Sequence, residues 1–372
     1  MPLSRRKTLA LIGGGTLFAA AAGAGTFIGT RTPLKALAPW DMAGSYGDAR
    51  LGALSYALLA PNPHNRQPWL AELQGEDTVI LHRDPDRDLP VTDPFARQLT
   101  IGMGCFLGLM DMAAGQQGLA VETQLFPEGE DGPVAICRFG AGGQPDPLFA
   151  HVMERRSHKE AFEARPVSKD ATAALALHAR IVTERAEVET LRRIGVAAWQ
   201  TEAATKQAWQ ESIDLLRIGK AEINAQPDGI DAGGAMLESL AAVGLFTREA
   251  AADLNNPGTK GVIEETTDAI TGAPAFAVQV SDSNTRIDQI GVGREWLRLN
   301  LAATGAGLAL RPISQALQEY PEMAEIYAEI HQVCAPDGGT VQMLGLLGYG
   351  TRTPRTPRWP LETRLLNGRN LT

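Results

Sequence analysis

Two stretches of the chain decide the fold prediction: "IGMGCFLGLMDMAAGQQGLAV" (Ile101–Val121) and "IGVGREWLRLNLAATGAGLAL" (Ile290–Leu310). They are separated by 290 − 101 = 189 residues, and eight of their 21 positions are identical. Each reads as an apolar helix, and a helix that is apolar on most faces must be buried on most faces. The repeat therefore predicts two related halves within one chain.

Glycines mark both ends of each predicted helix. Gly104 and Gly293 lie near the starts, and Gly118 and Gly307 lie where a left-handed residue commonly ends a helix. Strand-like runs precede the helices ("TVILHR" and "AFAVQV") and follow them ("VAICRF" and "QMLGLLGYG"). We therefore predict an α+β fold in which the two central helices pack together, as in a dimer fused into one polypeptide. Chance similarity between two Ala/Gly-rich helices is the alternative.

Composition limits the possible functions. The 372 residues are 44% hydrophobic and carry a net charge of −9, which argues against a nucleic-acid-binding protein. The cysteines Cys105, Cys137 and Cys334 are far apart and odd in number. Because no metal-ligand spacing is present, neither a metal site nor a disulfide framework is predicted.

The first residues, "SRRKTLALIGGGTLFAAAAGAGTFIG", are typical of an export signal. They resemble a twin-arginine signal, with Arg5 and Arg6 before a Gly/Ala-rich apolar core, so we expect export to the periplasm by the twin-arginine machinery. This route carries folded proteins, commonly those that acquire a cofactor in the cytoplasm. Cleavage within Ala19–Gly25 and retention of Thr8–Ile28 as a membrane anchor are both open, since that run is long enough to span a bilayer.

The domain prediction has three parts. Residues 1–38 form the signal or anchor, residues 39–147 the first half and residues 148–372 the second half, with "GQPDPL" at residues 143–148 as a plausible linker. Residues 222–262, hereafter the insertion, have no counterpart in the first half. Their apolar piece between glycine-rich joints is what a lid would look like, although an ordinary pair of surface helices fits equally well.

Two basic clusters are candidates for binding an anion. "MERRSHKEAF" places Arg155, Arg156, His158 and Lys159 within five residues, with Ser157 among them, and such a group can hold a phosphate by charge-assisted hydrogen bonds. The C-terminal "GYGTRTPRTPRWPLETR" places Arg355 and Arg358 in a proline-stiffened segment that can wrap across a surface. Solvated charge is the competing interpretation of both clusters.

"APNPHNRQPW" (Ala60–Trp69) places amide side chains among prolines. Because proline fixes its own φ and restricts the residue before it, we expect this run to be extended. Asn and Gln side chains both donate and accept hydrogen bonds, which suits the polar edge of a flavin. A rigid loop before an edge strand is the alternative.

The combined motifs resemble those of the FMN-dependent nitroreductase family. "APNPHNRQPW", "RRSHKEAF", "LRPISQALQEYPE" and "TPRWPL" each resemble a family segment, and together they span Pro61 to Pro360. Their order resembles that of a fused subgroup in which one chain mimics the family dimer. The resemblance implies a nitroreductase-like α-β-α sandwich, a pseudo-dimer that is monomeric when mature, and one FMN per chain, because only one phosphate motif is present.

The resemblance also implies the residues that would bind FMN. Arg155, Ser157 and Lys159 would meet the phosphate and ribityl chain, and Arg355 or Arg358 would close over the phosphate. The other half would contribute Pro61, Asn62, Pro63, Asn65 and Gln67. Pro312, Ile313 and Ser314 would lie beside the reactive edge of the ring, although Ser314 stands where many nitroreductases have Glu.

The implied activity is hydride or electron transfer through FMN to a nitro, quinone or other unsaturated small-molecule acceptor. The cofactor carries that chemistry, so no catalytic side chain is predicted. The electron donor is left open, because free NAD(P)H is not expected outside the cytoplasm. A non-catalytic protein that holds FMN beneath a closed lid is the alternative.

Overall fold

The structure, a computed structural model, describes residues 31–367. The predicted export signal and anchor lie outside these residues, apart from residues 31–38. No helix between residues 31 and 367 has both the length and the apolar character needed to cross a membrane.

Helices and strands in the described chain are labelled in chain order. The helices are α1 (Leu34–Met42), α2 (Ala49–Ala57), α3 (Arg97–Gly115), α4 (Lys169–Leu175), α5 (Arg185–Ala204), α6 (Lys206–Asp214), α7 (Gly219–Ala225), α8 (Ala235–Ala242), α9 (Arg248–Ala252), α10 (Pro257–Gly272), α11 (Arg286–Gly305) and α12 (Ala324–Cys334). The strands are β1 (Trp69–Gln74), β2 (Thr78–Arg83), β3 (Leu119–Leu125), β4 (Ala135–Ala141), β5 (Arg180–Val182), β6 (Leu216–Ile218), β7 (Ile230–Ala232), β8 (Ala275–Ser281), β9 (Ala309–Pro312) and β10 (Thr340–Gly348).

Both halves build a sheet of the same topology. The first sheet has the order β1-β2-β4-β3 and the second has the order β5-β8-β10-β9. All neighbouring strands in these two sheets are antiparallel. The central helix of each half connects two strands of its sheet, α3 between β2 and β3 and α11 between β8 and β9. The α+β prediction is therefore confirmed, and the strand-like runs of both repeats form strands.

The central helices α3 and α11 cross at their repeated glycines. A Cβ atom placed on Gly104 would lie 2.3 Å from the Ile290 carbonyl oxygen, and one on Gly293 would lie 2.0 Å from that of Ile101. Both glycines and both carbonyls are related by the offset of 189 residues, so the contacts are reciprocal. Only glycine allows backbones to approach this closely. Reciprocal contacts between equivalent residues are the signature of a two-fold axis.

Two ion pairs between the halves are related by the same repeat. Arg97 Nε lies 3.3 Å from a Glu319 carboxylate oxygen, and Arg286 Nε lies 2.9 Å from that of Glu130. Positions 97 and 286 differ by the repeat offset, as do positions 130 and 319. Each arginine begins a central helix, and each glutamate follows the edge strand of the other half.

The central helices begin and end slightly earlier than the repeat predicts. Helix α3 starts at Arg97 because the Asp93 carboxylate accepts hydrogen bonds from the backbone N–H groups of Gln98 and Leu99. Gly118 and Gly307 lie just beyond the two helices with φ values of +74° and +70°. The expected left-handed glycines are therefore present, two or three residues after the last helical residue.

The second sheet is buried on both faces because its side chains alternate between two cores. Ala275 and Ala277 of β8 belong to the core that contains the central helices. Phe276 and Val278 belong to a second core formed with α5, α6 and α12. This alternation follows from the two-residue period of a strand.

The C-terminal tail returns from the second half to the first. The backbone N–H of Arg358 donates to the Ala36 carbonyl at 2.8 Å, and Leu365 pairs with Ala71 of β1. The tail therefore brings its arginines to the same end of the molecule as helix α1.

Candidate functional site

The loop Pro61–Pro68 is tightly turned, and the expectation of an extended run is wrong. Residues Pro63–Asn65 form a turn of 3₁₀-helix, and His64, Asn65 and Gln67 all have positive φ, between 46° and 52°. The prolines fix only their own φ and bias the residue before each of them, so the intervening residues remain free to reverse the chain. Three non-glycine residues in this region are uncommon and must be held by their contacts.

Those contacts are made by the amide side chains themselves. Asn62 Oδ1 accepts from the Gln67 backbone N–H at 2.7 Å, and Gln67 Oε1 accepts from the Trp359 N–H at 2.9 Å. Asn65 Oδ1 accepts from Arg358 Nη1 at 2.6 Å. In this structure the amides therefore fix the loop and the tail that crosses it.

The insertion packs onto this loop through Pro227 and its neighbours. Gln67 Nε2 donates to the Pro227 carbonyl at 2.6 Å, and the Gly229 N–H donates to the Asn65 carbonyl at 3.2 Å. Lys159 Nζ lies 2.6 Å from an Asp231 carboxylate oxygen. The insertion thus covers the amide-rich loop and reaches the basic segment of the second half.

A buried carboxylate fastens the insertion in place. Asp228 forms ion pairs at 3.0 Å with Arg66 and at 3.0 Å with Arg217, and a third with Arg87. Its side chain is 1% exposed. Removing one member of such a network leaves buried charge uncompensated, so Asp228 stabilises the covered arrangement strongly.

Three arginines, hereafter the arginine cluster, meet beside this loop: Arg155, Arg156 and Arg358. Arg155 Nη2 donates to the Leu59 carbonyl at 2.9 Å, and Arg358 Nη2 donates to the same oxygen at 3.2 Å. Arg358 Nε also donates to the Leu58 carbonyl at 2.7 Å. Two segments that are 200 residues apart in sequence therefore converge at one turn of the first half.

No member of the arginine cluster forms an ion pair with a carboxylate in residues 31–367. Burial, and secondarily Arg156, lowers the pKa of Arg155 to about 10. Burial, and secondarily Arg155, lowers the pKa of Arg358 to about 9. Burial, followed by repulsion from Arg352 and Arg355, lowers the pKa of Arg156 to about 10. All three stay charged at neutral pH, so the cluster concentrates positive charge on a protein of net charge −9.

The cluster also holds unused hydrogen-bond donors. Arg155 Nη1 and Arg156 Nε are buried and have no acceptor among residues 31–367. A buried donor without a partner is costly, and an anion with several acceptor oxygens removes that cost. The arrangement therefore has the charge and the donors of an anion-binding site.

Helix α1 forms a wall of the cluster with Trp40. The Arg156 guanidinium carbon lies 4.7 Å from the centre of the Trp40 ring, and that of Arg358 lies 5.8 Å from it. Trp40 Nε1 donates to the Thr356 carbonyl at 2.8 Å, which fixes the ring. Such cation–π contacts help to hold guanidinium groups that lack carboxylate partners.

Other predicted site residues lie at the margin of the cluster. Arg355 Nη1 pairs with Asp41 at 2.7 Å, and its guanidinium carbon lies 5.5 Å from the Trp40 ring. The Ser157 backbone pairs with Leu310 at the edge of β9. Lys159 is exposed and faces the insertion. Arg155 and Arg358 are thus the two predicted arginines that the fold buries together.

The segment Pro312–Ser314, which the resemblance places beside the reactive edge of the flavin ring, follows β9. Pro312 is exposed, whereas Ile313 is buried and its N–H donates to the Leu344 carbonyl at 2.9 Å. Ser314 begins the 3₁₀ turn Gln315–Leu317. The segment Ser157–Lys159 runs beside β9, because the His158 N–H donates to the Leu310 carbonyl at 2.9 Å.

A buried acid contacts the same loop. Glu202 of α5 accepts from Gln318 Nε2 at 2.7 Å, and burial raises the pKa of Glu202 to about 7. His64 of the amide-rich loop is half-buried, and desolvation lowers its pKa. Glu202 does not stand out in the sequence, since it is a single acidic residue in a run without a motif, whereas His64 lies within the quoted "APNPHNRQPW" run but was not named among the residues expected to bind FMN.

The sequence predictions missed several residues of this site. Trp40 and Asp228 were not assigned to it, and Arg156, although it belongs to the predicted basic cluster, was not among the residues expected to bind FMN. A signal for Asp228 was absent, because its arginine partners lie at sequence separations of 162, 141 and 11 residues.

Comparisons with known proteins agree with the motif resemblance. A protein from two strains of Mycobacterium tuberculosis is 25% identical over 336 residues, covering 83% of this chain and 91% of the relative. Its name describes it as an NAD(P)H nitroreductase, an activity given as provisional in that name. A second mycobacterial protein named in the same way is 35% identical over 86 residues, covering 23% of this chain and 25% of its own length.

No family model matches the chain. Among solved structures, an FMN-dependent nitroreductase from Mycobacterium smegmatis in complex with NADPH overlaps 58% of this chain and 96% of its own. The overlap has 17% sequence identity and a TM-score of 0.35, which is too low to relate the two folds in detail.

Proposed function

We propose that this protein is an exported, FMN-dependent oxidoreductase of the nitroreductase type. The observation that carries the proposal is the arginine cluster, a buried group of positive charges with two donors left unpaired and no carboxylate partner in residues 31–367. A flavin phosphate carries about 1.5–2 negative charges at neutral pH and offers three acceptor oxygens. The mycobacterial relatives named as nitroreductases support the same assignment.

The residues present fit FMN. Arg155, Arg156 and Arg358 would hold the phosphate, with Trp40 supporting two of the guanidinium groups. The loop after β9, including Pro312 and Ser314, would border the ring as the family motif implies. Bound FMN would supply hydride or electron transfer to a nitro, quinone or other unsaturated acceptor. The protein would bind and orient it and exclude water beneath the insertion.

The pseudo-dimeric arrangement belongs to this proposal. The shared sheet topology and the reciprocal contacts of α3 with α11 support a single chain that reproduces a two-fold dimer. The site would then lie between the halves, since Leu59 of the first half meets Arg155 of the second. The export route, the periplasmic location and the monomeric state are likewise proposals.

The binding test compares FMN with riboflavin, which lacks the phosphate. The wild-type protein should bind FMN much more tightly than riboflavin. Arg155→Ala should weaken FMN binding by about 2–5 kcal/mol, roughly 30-fold or more, and leave riboflavin binding nearly unchanged. The exposed Arg193, which pairs with Glu329, provides the control Arg193→Ala, and this variant should keep the wild-type preference. Equal affinity of the wild type for both flavins would refute the phosphate site.

One observation favours the second candidate, a protein that holds FMN without turnover. The insertion is fastened over the loop by the buried Asp228 network, as a closed cover would be. Anaerobic addition of NADH, NADPH or a reduced quinol to the flavin-loaded protein separates the two candidates. Bleaching of the flavin, followed by reoxidation with a quinone or nitro compound, is expected of the oxidoreductase. A flavin that none of these donors reduces would favour the non-catalytic role.

A further inference from the structure

A cleft of about 680 Å³, hereafter the edge cleft, lies at the edge of the second sheet and shares no lining residue with the arginine cluster. Its walls come from β5, β8, the N-terminal part of α11 and residues 335–338 before β10. The edge cleft exists because β5 is short. It pairs with three residues of β8, whereas β1 pairs with all six residues of β2. Residues 279–281 of β8 therefore border the cleft on this side instead of a neighbouring strand.

The first half fills the equivalent space with its amide-rich loop. A Cβ atom on Gly102 of α3 would lie 3.1 Å from Asn62 Cβ, so the loop packs directly on that helix. The equivalent Gly291 of α11 lines the edge cleft, and no atom of the described chain lies within 4 Å of its added Cβ. The nearby apolar side chains Ile287 and Val280 are 60% and 41% exposed. The second half thus leaves a partly apolar recess open where the first half is filled.

The wall formed by β8 carries a hydrogen-bond acceptor that lacks a donor. Gln279 is 6% exposed, and its Nε2 donates to the His178 carbonyl at 2.9 Å. Because that carbonyl can only accept, the orientation of the amide is fixed, and Oε1 is the atom left over. This oxygen is buried and has no donor within residues 31–367. A buried acceptor without a partner is costly, so a ligand N–H that reaches it would be bound favourably.

The charged side chains of the edge cleft are mostly acidic. Three carboxylates line it, those of Asp288, Glu295 and Asp337. Its arginine, Arg180, already pairs with Glu187 at 2.5 Å, and His178 Nδ1 lies 2.8 Å from a Glu295 carboxylate oxygen. Asp337 is exposed and forms no ion pair within residues 31–367. A cleft lined mainly by one sign of charge concentrates ligands of the opposite sign.

We propose that the edge cleft binds a protonated organic amine with an apolar body. The ammonium group would donate to Gln279 Oε1 and lie among the three carboxylates, and the apolar body would cover Gly291 and Ile287. An anion would be repelled by the carboxylates, and a neutral alcohol could satisfy Gln279 but would gain nothing from the local charge. The inference is independent of flavin binding, because the edge cleft and the arginine cluster share no residue.

Three probes of similar shape test the ligand class on the full chain: phenethylamine, phenethyl alcohol and phenylpropionate. Isothermal titration and saturation-transfer NMR at neutral pH measure their binding. Phenethylamine should bind at least about tenfold more tightly than the alcohol, since hydrogen bonds to charged groups are the stronger ones. Phenylpropionate should give no saturation transfer. Failure of phenethylamine to bind, or equal affinity for the amine and the alcohol, would overturn the inference.

Three variants test the location of the site. Asp337→Asn removes an exposed charge and should reduce the preference for the amine over the alcohol, and Gln279→Leu should weaken amine binding about tenfold. Gly291→Phe fills the cleft from an open face of α11 and should abolish binding. Its matched control is Gly261→Phe, because Gly261 is an exposed helical glycine of α10 whose added Cβ also meets no atom within 4 Å. Amine binding that all three variants leave unchanged would place the ligand elsewhere and refute the site.

Discussion

The crossing of the two central helices gives the sharpest test of the fold. In Gly104→Ala the new Cβ would lie 2.3 Å from the Ile290 carbonyl oxygen and 2.9 Å from Gly293 Cα. Both obstacles are backbone atoms of a buried helix, so no side-chain rotation relieves the clash, and α3 and α11 must separate. Overpacking of this kind costs about 1–3 kcal/mol or more. Replacing a glycine within a helix by alanine stabilises the helix by about 1 kcal/mol, which offsets part of this cost.

Because both obstacles are backbone atoms, we take the upper end of that range, about 3 kcal/mol, and subtract the gain of about 1 kcal/mol, so Gly104→Ala should lower the free energy of unfolding by about 2 kcal/mol. Gly291→Ala is the matched control, because Gly291 lies in α11 with nothing within 4 Å of its added Cβ. This control should gain up to about 1 kcal/mol. Urea denaturation followed by tryptophan fluorescence and circular dichroism measures both. An alanine at either Gly104 or Gly293 would force the two helices apart at the same crossing point. The double alanine variant should therefore lose less unfolding free energy than the sum of the two single losses. Equal stability of Gly104→Ala and Gly291→Ala would refute the helix crossing.

Three further predictions concern buried charge and export. Asp228→Asn leaves the three arginine partners undercompensated, so it should cost about 3–5 kcal/mol and raise hydrogen exchange in the insertion; unchanged exchange would contradict the fastening role. Because burial raises the pKa of Glu202 to about 7, the native state binds the extra proton, and stability falls as pH rises from the unfolded pKa towards 7. Glu202→Gln should flatten that decline in pH-dependent denaturation, and an unchanged slope would exclude Glu202 as its source. Replacing Arg5 and Arg6 by Lys should retain the protein in the cytoplasm, as measured by fractionation, and continued export would reject the twin-arginine route.

The sequence predicted the fold well because its signals are local. Three of these signals depend only on residues that are neighbours in sequence. They are the long apolar runs that form α3 and α11, the glycines Gly118 and Gly307 that adopt a left-handed conformation after these helices, and short runs of strand-forming residues such as Thr78–Arg83. Such patterns identify elements before their tertiary contacts are known. The repeat then predicted that the central helices meet, because two apolar helices in equivalent halves each need a partner.

The site was less predictable because its geometry depends on distant partners. The bend at His64 and Asn65 is held by the tail and by the insertion, so local proline rules gave the wrong conformation. Arg358 is buried while Arg355 pairs with an exposed aspartate, although both occur in the same proline-rich segment. Spacing in sequence does not distinguish these two arginines, since the first half of the chain decides which of them is enclosed.

The asymmetry between the halves is consistent with the proposal of one FMN per chain. The ion pairs and helix glycines that the repeat relates occur once in each half, whereas the amide-rich loop occurs only in the first half of residues 31–367. A Cβ on Gly102 would lie 3.1 Å from Asn62 Cβ, but its counterpart Gly291 has nothing within 4 Å. The difference arises in the segment that precedes the first strand of each sheet. In the first half this segment, residues 58–68, is long enough to form the amide-rich loop, whereas in the second half it comprises only residues 176–179. A dimer of identical subunits cannot lose the loop from one site alone, whereas a fused chain can specialise one site and leave the other without it.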